Sequence, residues 1–187
     1  MARQGRNTVV PHDTEDRGWW YVHGEQLEVS FVTLCQERLN LDALINPAKD
    51  LDSTAPDLVV EGVLADLKTQ NTPFFTAGRY GLDPRFTVTF NRKDYERYKA
   101  LYPGIVIYFW IDWKQTTWGN NSVDYFGGVF RLPFERVAAL IDGGAKEHAY
   151  INRTSPDDRN AKSSFLLDIR NFESLFVSYN RADVSGG

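Results

Sequence analysis

A single α/β domain with a sheet covered on both sides is the fold class this chain predicts, and three observations carry that prediction. Residues 56–70 read as a β-hairpin folded about Glu61-Gly62. Residues 105–113, Ile-Val-Ile-Tyr-Phe-Trp-Ile-Asp-Trp, form a run that is apolar on both faces, as in a central strand covered on both sides. Residues 24–39 repeat apolar side chains at helical spacing. A length of 187 residues suits one compact unit spanning residues 1–187 with a proper core.

Taken in order, the first element is a helix over 24–39, in which Leu27, Phe31, Leu34 and Arg38 follow the 3.6-residue period and Val32, Cys35 and Leu39 widen the apolar face. An irregular stretch with Pro47 and Pro56 leads to strands at 57–61 and 63–70. Asn71 to Arg85 carries Thr72-Pro73, Gly78, Gly81 and Asp83-Pro84, which is turn chemistry, and this loop leaves directly from the second hairpin strand, where loops often contact substrate. Residues 86–90 alternate as a short strand, and Asn91 caps a helix over 92–101 that Pro103-Gly104 ends. After the central strand, whose aromatic residues suit a core better than a base-stacking platform, residues 116–122 read as a polar loop carrying Trp118 and 126–132 as a strand. Pro133–Ile141 opens with proline and is followed by Gly143-Gly144, helix punctuation at both ends. Residues 148–153 and 163–169 read as strands about a polar loop, 172–176 as a short closing helix, and the Ser-Gly-Gly end as frayed.

Composition narrows the function classes. The formal net charge is −4, which argues against a strong non-specific nucleic-acid binder. The charge is uneven: residues 1–66 hold 12 acids and 5 bases, residues 67–187 hold 13 acids and 16 bases. Arg79, Arg85, Arg92, Lys93, Arg97 and Lys99 fall close together, either as a flank for backbone phosphates or as a solvated face with ordinary ion pairs. No apolar stretch is long enough for a membrane helix, and residues 1–7 lack the apolar core of a signal peptide, so a cytoplasmic location is expected. The single cysteine, Cys35, excludes a disulfide framework and a zinc cluster. His12, His23 and His148 have no ligand spacing and suit surface or capping positions. Asp157-Asp158 reads as a solvated turn.

Chemistry concentrates in the hairpin. Alternate side chains of a strand share a face, so Asp66, Lys68 and Gln70 point the same way. Asp57, at the end of the hairpin, adds a second carboxylate. Clustered carboxylates with an amine can hold a hard cation and a phosphate together, which is the chemistry of phosphodiester hydrolysis. Pro56-Asp57, eight residues, then Asp66-Leu67-Lys68 resembles the PD-(D/E)XK nuclease superfamily, the fold of many restriction endonucleases, Holliday-junction resolvases and repair nucleases. The resemblance covers a core at residues 20–113, with 120–180 extending it.

That resemblance implies a restriction-endonuclease-like core, a mixed central β-sheet flanked by helices, and a metal-dependent endonuclease acting on DNA, duplex or branched, with Mg2+ or Mn2+. Asp57 and Asp66 would hold the metal, and Lys68 would orient the attacking water or stabilise charge on the phosphate. Gln70 would contact the phosphate or a metal-bound water, or serve only as a polar strand end. Family members often carry a glutamate near the start of the first helix. Glu28, on the side of Phe31, Val32 and Cys35, is the better candidate for that third metal ligand, with Glu25 one turn earlier; both also suit the acidic first turn of a helix. A homodimer would suit double-strand cutting. The alternative reading is a catalytically inactive nuclease-fold module that binds nucleic acid or a protein partner.

Overall fold

A computed structural model describes residues 17–150 and 163–180, with side chains from Gln26 onward. The described elements are α1 (Arg17–Arg38), β1 (Ala43–Ile45), β2 (Leu58–Val60), β3 (Val63–Gln70), β4 (Thr87–Asn91), α2 (Arg92–Leu101), β5 (Val106–Asp112), β6 (Thr117–Trp118), β7 (Asn121–Ser122), β8 (Gly127–Pro133), α3 (Phe134–Asp142), β9 (Lys146–Ala149), β10 (Ser163–Asp168) and β11 (Glu173–Ser178). The protein is α/β, with a mixed six-stranded sheet in the order β1-β2-β3-β5-β8-β11. β3 and β5 are parallel, and the other described neighbours in this sheet run antiparallel. A parallel pair needs a crossover, and here β4 and α2 supply it. A second sheet, β4-β10-β9, is antiparallel.

The pleat sorts side chains into two cores. On one face Leu58, Ala65, Leu67, Tyr108 and Val129 pack with Phe31 and Cys35 of α1. On the other, Ile107, Phe109 and Ile111 meet Tyr98 of α2, Phe134 of α3 and Val88 and Phe90 of β4. β5 is therefore covered on both sides, as its unbroken apolar run requires. The register pairs Asp66 with Ile107, Lys68 with Phe109 and Gln70 with Ile111, which places all three polar residues on the α2 face. The β2–β3 turn is tight. Glu61 and Gly62 both have positive φ, 51° and 74°, the arrangement of a two-residue hairpin loop whose twist matches its strands.

Several expectations need correction. Residues 172–176 do not form a closing helix: β11 extends the sheet by pairing with β8. Five residues make too few helical hydrogen bonds to offset nucleation, whereas the open edge of β8 offers a partner for each backbone group. Gly128 permits the close approach, because a β-carbon there would collide with the Phe176 carbonyl. The loop at 116–122 contains the β6–β7 hairpin, turning through Gly119 at φ 56°. The strand expected at 148–153 begins earlier, at Lys146, and its residues 151–153 lie outside the described residues, as do His12 and Asp157-Asp158. α1 begins before residue 24. Asn91 stands at the N-cap of α2 but makes no capping bond; its side chain accepts a hydrogen bond from Ser164 of β10 instead. His148 is neither a plain surface group nor a cap: its Nδ1 lies 2.7 Å from the Tyr80 hydroxyl, and its ring sits edge-on to Phe74. Among the described residues no helix is long and apolar enough to cross a membrane.

Candidate metal and phosphate site

The site begins at the mouth of the β2–β3 hairpin. Leu58 pairs with Ala65, so Asp57, one residue earlier, stands across from Asp66, one residue later. β2 stops before it reaches Leu67, and the Asp57 carboxylate takes the place of the missing strand by accepting the Leu67 N–H at Oδ2, 3.1 Å. Its other oxygen, Oδ1, accepts from Lys49 Nζ at 2.9 Å, and the same ammonium reaches Glu28 Oε1 on α1 at 2.5 Å. Glu28 thus arrives across the helix–sheet contact; the side chains of Glu25 and His23 lie outside the described residues.

Asn46 holds this half together. It caps a 3-10 turn, Pro47–Asp50, by accepting from Ala48 N–H at 3.1 Å, and its amide donates to the Pro56 carbonyl at 2.9 Å. Its own N–H donates to the Asp57 carbonyl. One buried side chain therefore fixes both the turn that carries Lys49 and the strand mouth that carries Asp57.

The other half faces α2. Asp66 has a side chain 3% exposed, and its Oδ2 lies 2.6 Å from Lys68 Nζ. That contact is an ion pair by distance, but Oδ2 accepts no hydrogen bond of proper geometry. Burial pushes the Asp66 carboxyl up to about 6; Lys68 opposes the shift and the nearby Asp57 charge adds to it. Lys68 also donates to Asp94 Oδ2 at 2.7 Å and approaches the Tyr98 hydroxyl at 3.4 Å. Burial disfavours its charge, yet Asp66 foremost, with Tyr98 and Asp94, holds the ammonium well above the usual lysine range. Arg97, 3.1 Å from Asp94 Oδ1, closes the network. Lys49 behaves alike: burial works against the charge, and its bonds to Glu28 and Asp57 prevail and raise it.

Gln70 is turned to a different purpose. Its amide donates to the Thr89 carbonyl at 2.8 Å and accepts from the Thr89 N–H at 3.3 Å, clasping β4 to the end of β3. The basic residues after Arg79 are largely matched with acids: Arg85 with Asp124, Arg92 with Glu147, Arg97 with Asp94 and Lys99 with Asp142. The ion-pair reading describes these four. Cys35 is buried and its thiol is pushed up to about 11, which makes it unreactive.

The site as a whole sets the carboxylates of Glu28, Asp57, Asp66 and Asp94 against the cations of Lys49, Lys68 and Arg97. Among the described residues no three acidic, histidine or cysteine side chains converge as a ready-made metal cage. The donors are nevertheless hard oxygens, the type that suits magnesium or manganese, with the Lys68 ammonium standing 2.6 Å from Asp66 Oδ2. Lys49 and Asn46 carry no metal-site pattern in the sequence, and Asp94 stands there only as one acid among the bases of residues 79–99. Asn46-Pro47 does carry a readable signal, a capping residue followed by proline at the first helical position. Asp94 and Tyr98 lie four apart on one helical face, but nothing local ties them to Lys68. Comparison of the chain with protein-family models, with curated proteins and with solved structures found no match.

Proposed function

We propose that this chain is a metal-dependent nuclease of the PD-(D/E)XK type, with a restriction-endonuclease-like core, that hydrolyses phosphodiester bonds in DNA. The observation that carries the reading is the hairpin register, which sets Asp57 across from Asp66 with Lys68 two residues further along the same face. Asp57 and Asp66 would hold a magnesium or manganese ion, with Glu28 beside them. When bound, such an ion would supply Lewis acidity toward the phosphate and the attacking water. Lys68, with its ammonium 2.6 Å from Asp66 Oδ2 and 2.7 Å from Asp94 Oδ2, acts as a positive charge toward the phosphate. Asp94, together with Arg97, orients that ammonium from α2. Gln70 and Thr89 fix the strand end rather than contact the phosphate.

A second reading has its own support. Each of Glu28, Asp57, Asp66 and Asp94 already has a lysine partner, as in a nuclease fold retained for binding alone. Incubation of the purified chain with supercoiled plasmid, linear duplex, branched and single-stranded DNA, and RNA, in magnesium, manganese or EDTA, separates the two. Metal-dependent cutting abolished in EDTA supports the enzyme. Tight binding of one of these forms without cutting in either metal replaces it with the binding module.

A further inference from the structure

We propose that Lys49 is a built-in counter-cation of the metal site: its ammonium holds Glu28 and Asp57 together while no divalent ion is bound, and an incoming ion must displace it to take those carboxylates. This rests on the metal-dependent reading above. The geometry is that of a cation between two anions, with Lys49 Nζ 2.5 Å from Glu28 Oε1 and 2.9 Å from Asp57 Oδ1. Carboxylates drawn toward one point repel unless a positive charge lies between them.

Lys49 differs from Lys68 in how it is held. Lys68 is packed among Phe90, Tyr98 and Asp94, inside the α2 face. Lys49 rises from the short Pro47–Asp50 turn, whose backbone Asn46 pins to the hairpin mouth. Its anchor is fixed, and a four-carbon lysine stem has the rotatable bonds to carry the ammonium off Asp57 once an ion takes that carboxylate. An ion taking Asp57 therefore leaves the Lys49 ammonium on the rim of the site without its partner, and the phosphodiester of a substrate is an anion able to take it. Metal loading and phosphate capture are coupled through one side chain: the positive charge becomes available only after the ion has arrived.

The test is manganese binding by calorimetry on the full chain without nucleic acid, for wild type, Lys49→Met, Lys49→Arg and Asp66→Asn, with thermal unfolding of each in EDTA and in manganese. Lys49→Met is expected to bind manganese at least roughly tenfold more tightly, the scale of removing one competing charge-assisted contact. It should lose stability in EDTA and regain it in manganese. Lys49→Arg should keep the wild-type affinity, and Asp66→Asn should bind more weakly than either. Lys49→Gln carries the same expectation as Lys49→Met and serves if that variant does not fold. If wild type binds, Asp66→Asn does not, and the neutral Lys49 variants bind no better than wild type, Lys49 is a structural ion-pair partner and the proposal is overturned while the metal reading stands. If neither wild type nor a neutral Lys49 variant binds manganese, the metal reading falls and this proposal with it.

Discussion

Replacing Lys68 by methionine tests the buried network through its dependence on pH. Methionine keeps the length and apolar stem of the side chain, which lies against the Phe90 and Tyr98 rings, and removes only the charge. Asp94 retains Arg97 at 3.1 Å, so the group left without a cation is Asp66, whose side chain is 3% exposed. Breaking a buried pair from one side costs about 3–5 kcal/mol, and the surviving Arg97 contact places the expected loss at the lower end, ~3 kcal/mol near pH 8. For a chain of this size that is roughly 6–12 °C in Tm. Asp66 already titrates at about 6 with Lys68 beside it, and without that ammonium its folded-state value climbs further. An acid whose folded value is raised destabilises the protein above that value and ceases to do so as the pH falls and the group takes a proton. The deficit of the variant relative to wild type is therefore fully present above the variant's raised value. It shrinks as the pH drops toward that of the wild-type group, with a slope of at most about 1.4 kcal/mol per pH unit. Below it, only the lost contact with Asp94 remains. Urea unfolding in EDTA at constant ionic strength, at about pH 5.5 and about pH 8 so as to bracket that window, reads the difference directly. A deficit of equal size at both pH values would show that Asp66 is not the charge left behind, and would refute the proposed electrostatics. If the protein cuts DNA, the same variant should turn over at least roughly a hundredfold more slowly while still binding manganese.

Three further outcomes follow from the same contacts. Asp66→Asn should abolish cleavage without lowering thermal stability in EDTA at neutral pH, because the substitution relieves a buried charge and its repulsion from Asp57; a marked fall in Tm would show that the Lys68 ion pair outweighs both. Manganese affinity should rise with pH through about 6 as Asp66 loses its proton and becomes able to hold a cation, and an affinity unchanged across that range would remove Asp66 from the ligands. Asn46→Ala should cost about 1–3 kcal/mol by leaving the buried Pro56 carbonyl without its donor. Asn46→Asp keeps the cap on Ala48 but cannot donate to that carbonyl, so it should be destabilised nearly as much in urea unfolding; wild-type stability in Asn46→Asp would show that the cap alone matters.

What the amino-acid sequence determined by itself was short-range. The alternation along 63–70 puts Asp66, Lys68 and Gln70 on one face whatever surrounds them, because the strand period is a property of the backbone. Glu61-Gly62 sets a two-residue turn, and that turn sets the register that brings Asp57 opposite Asp66. The apolar run of β5 announced a strand covered on both faces. Which partners those charged groups take was decided only by packing. Lys68 meets Asp94 on α2, Glu28 meets Lys49 across the helix–sheet contact, and Gln70 clasps Thr89 of β4. Each pair is distant along the chain, and no periodicity relates one member to the other; the docking of α1 and α2 on opposite faces of the sheet brings them together. β11 obeyed the same rule, since a segment too short to hold a helix took its conformation from the strand edge beside it.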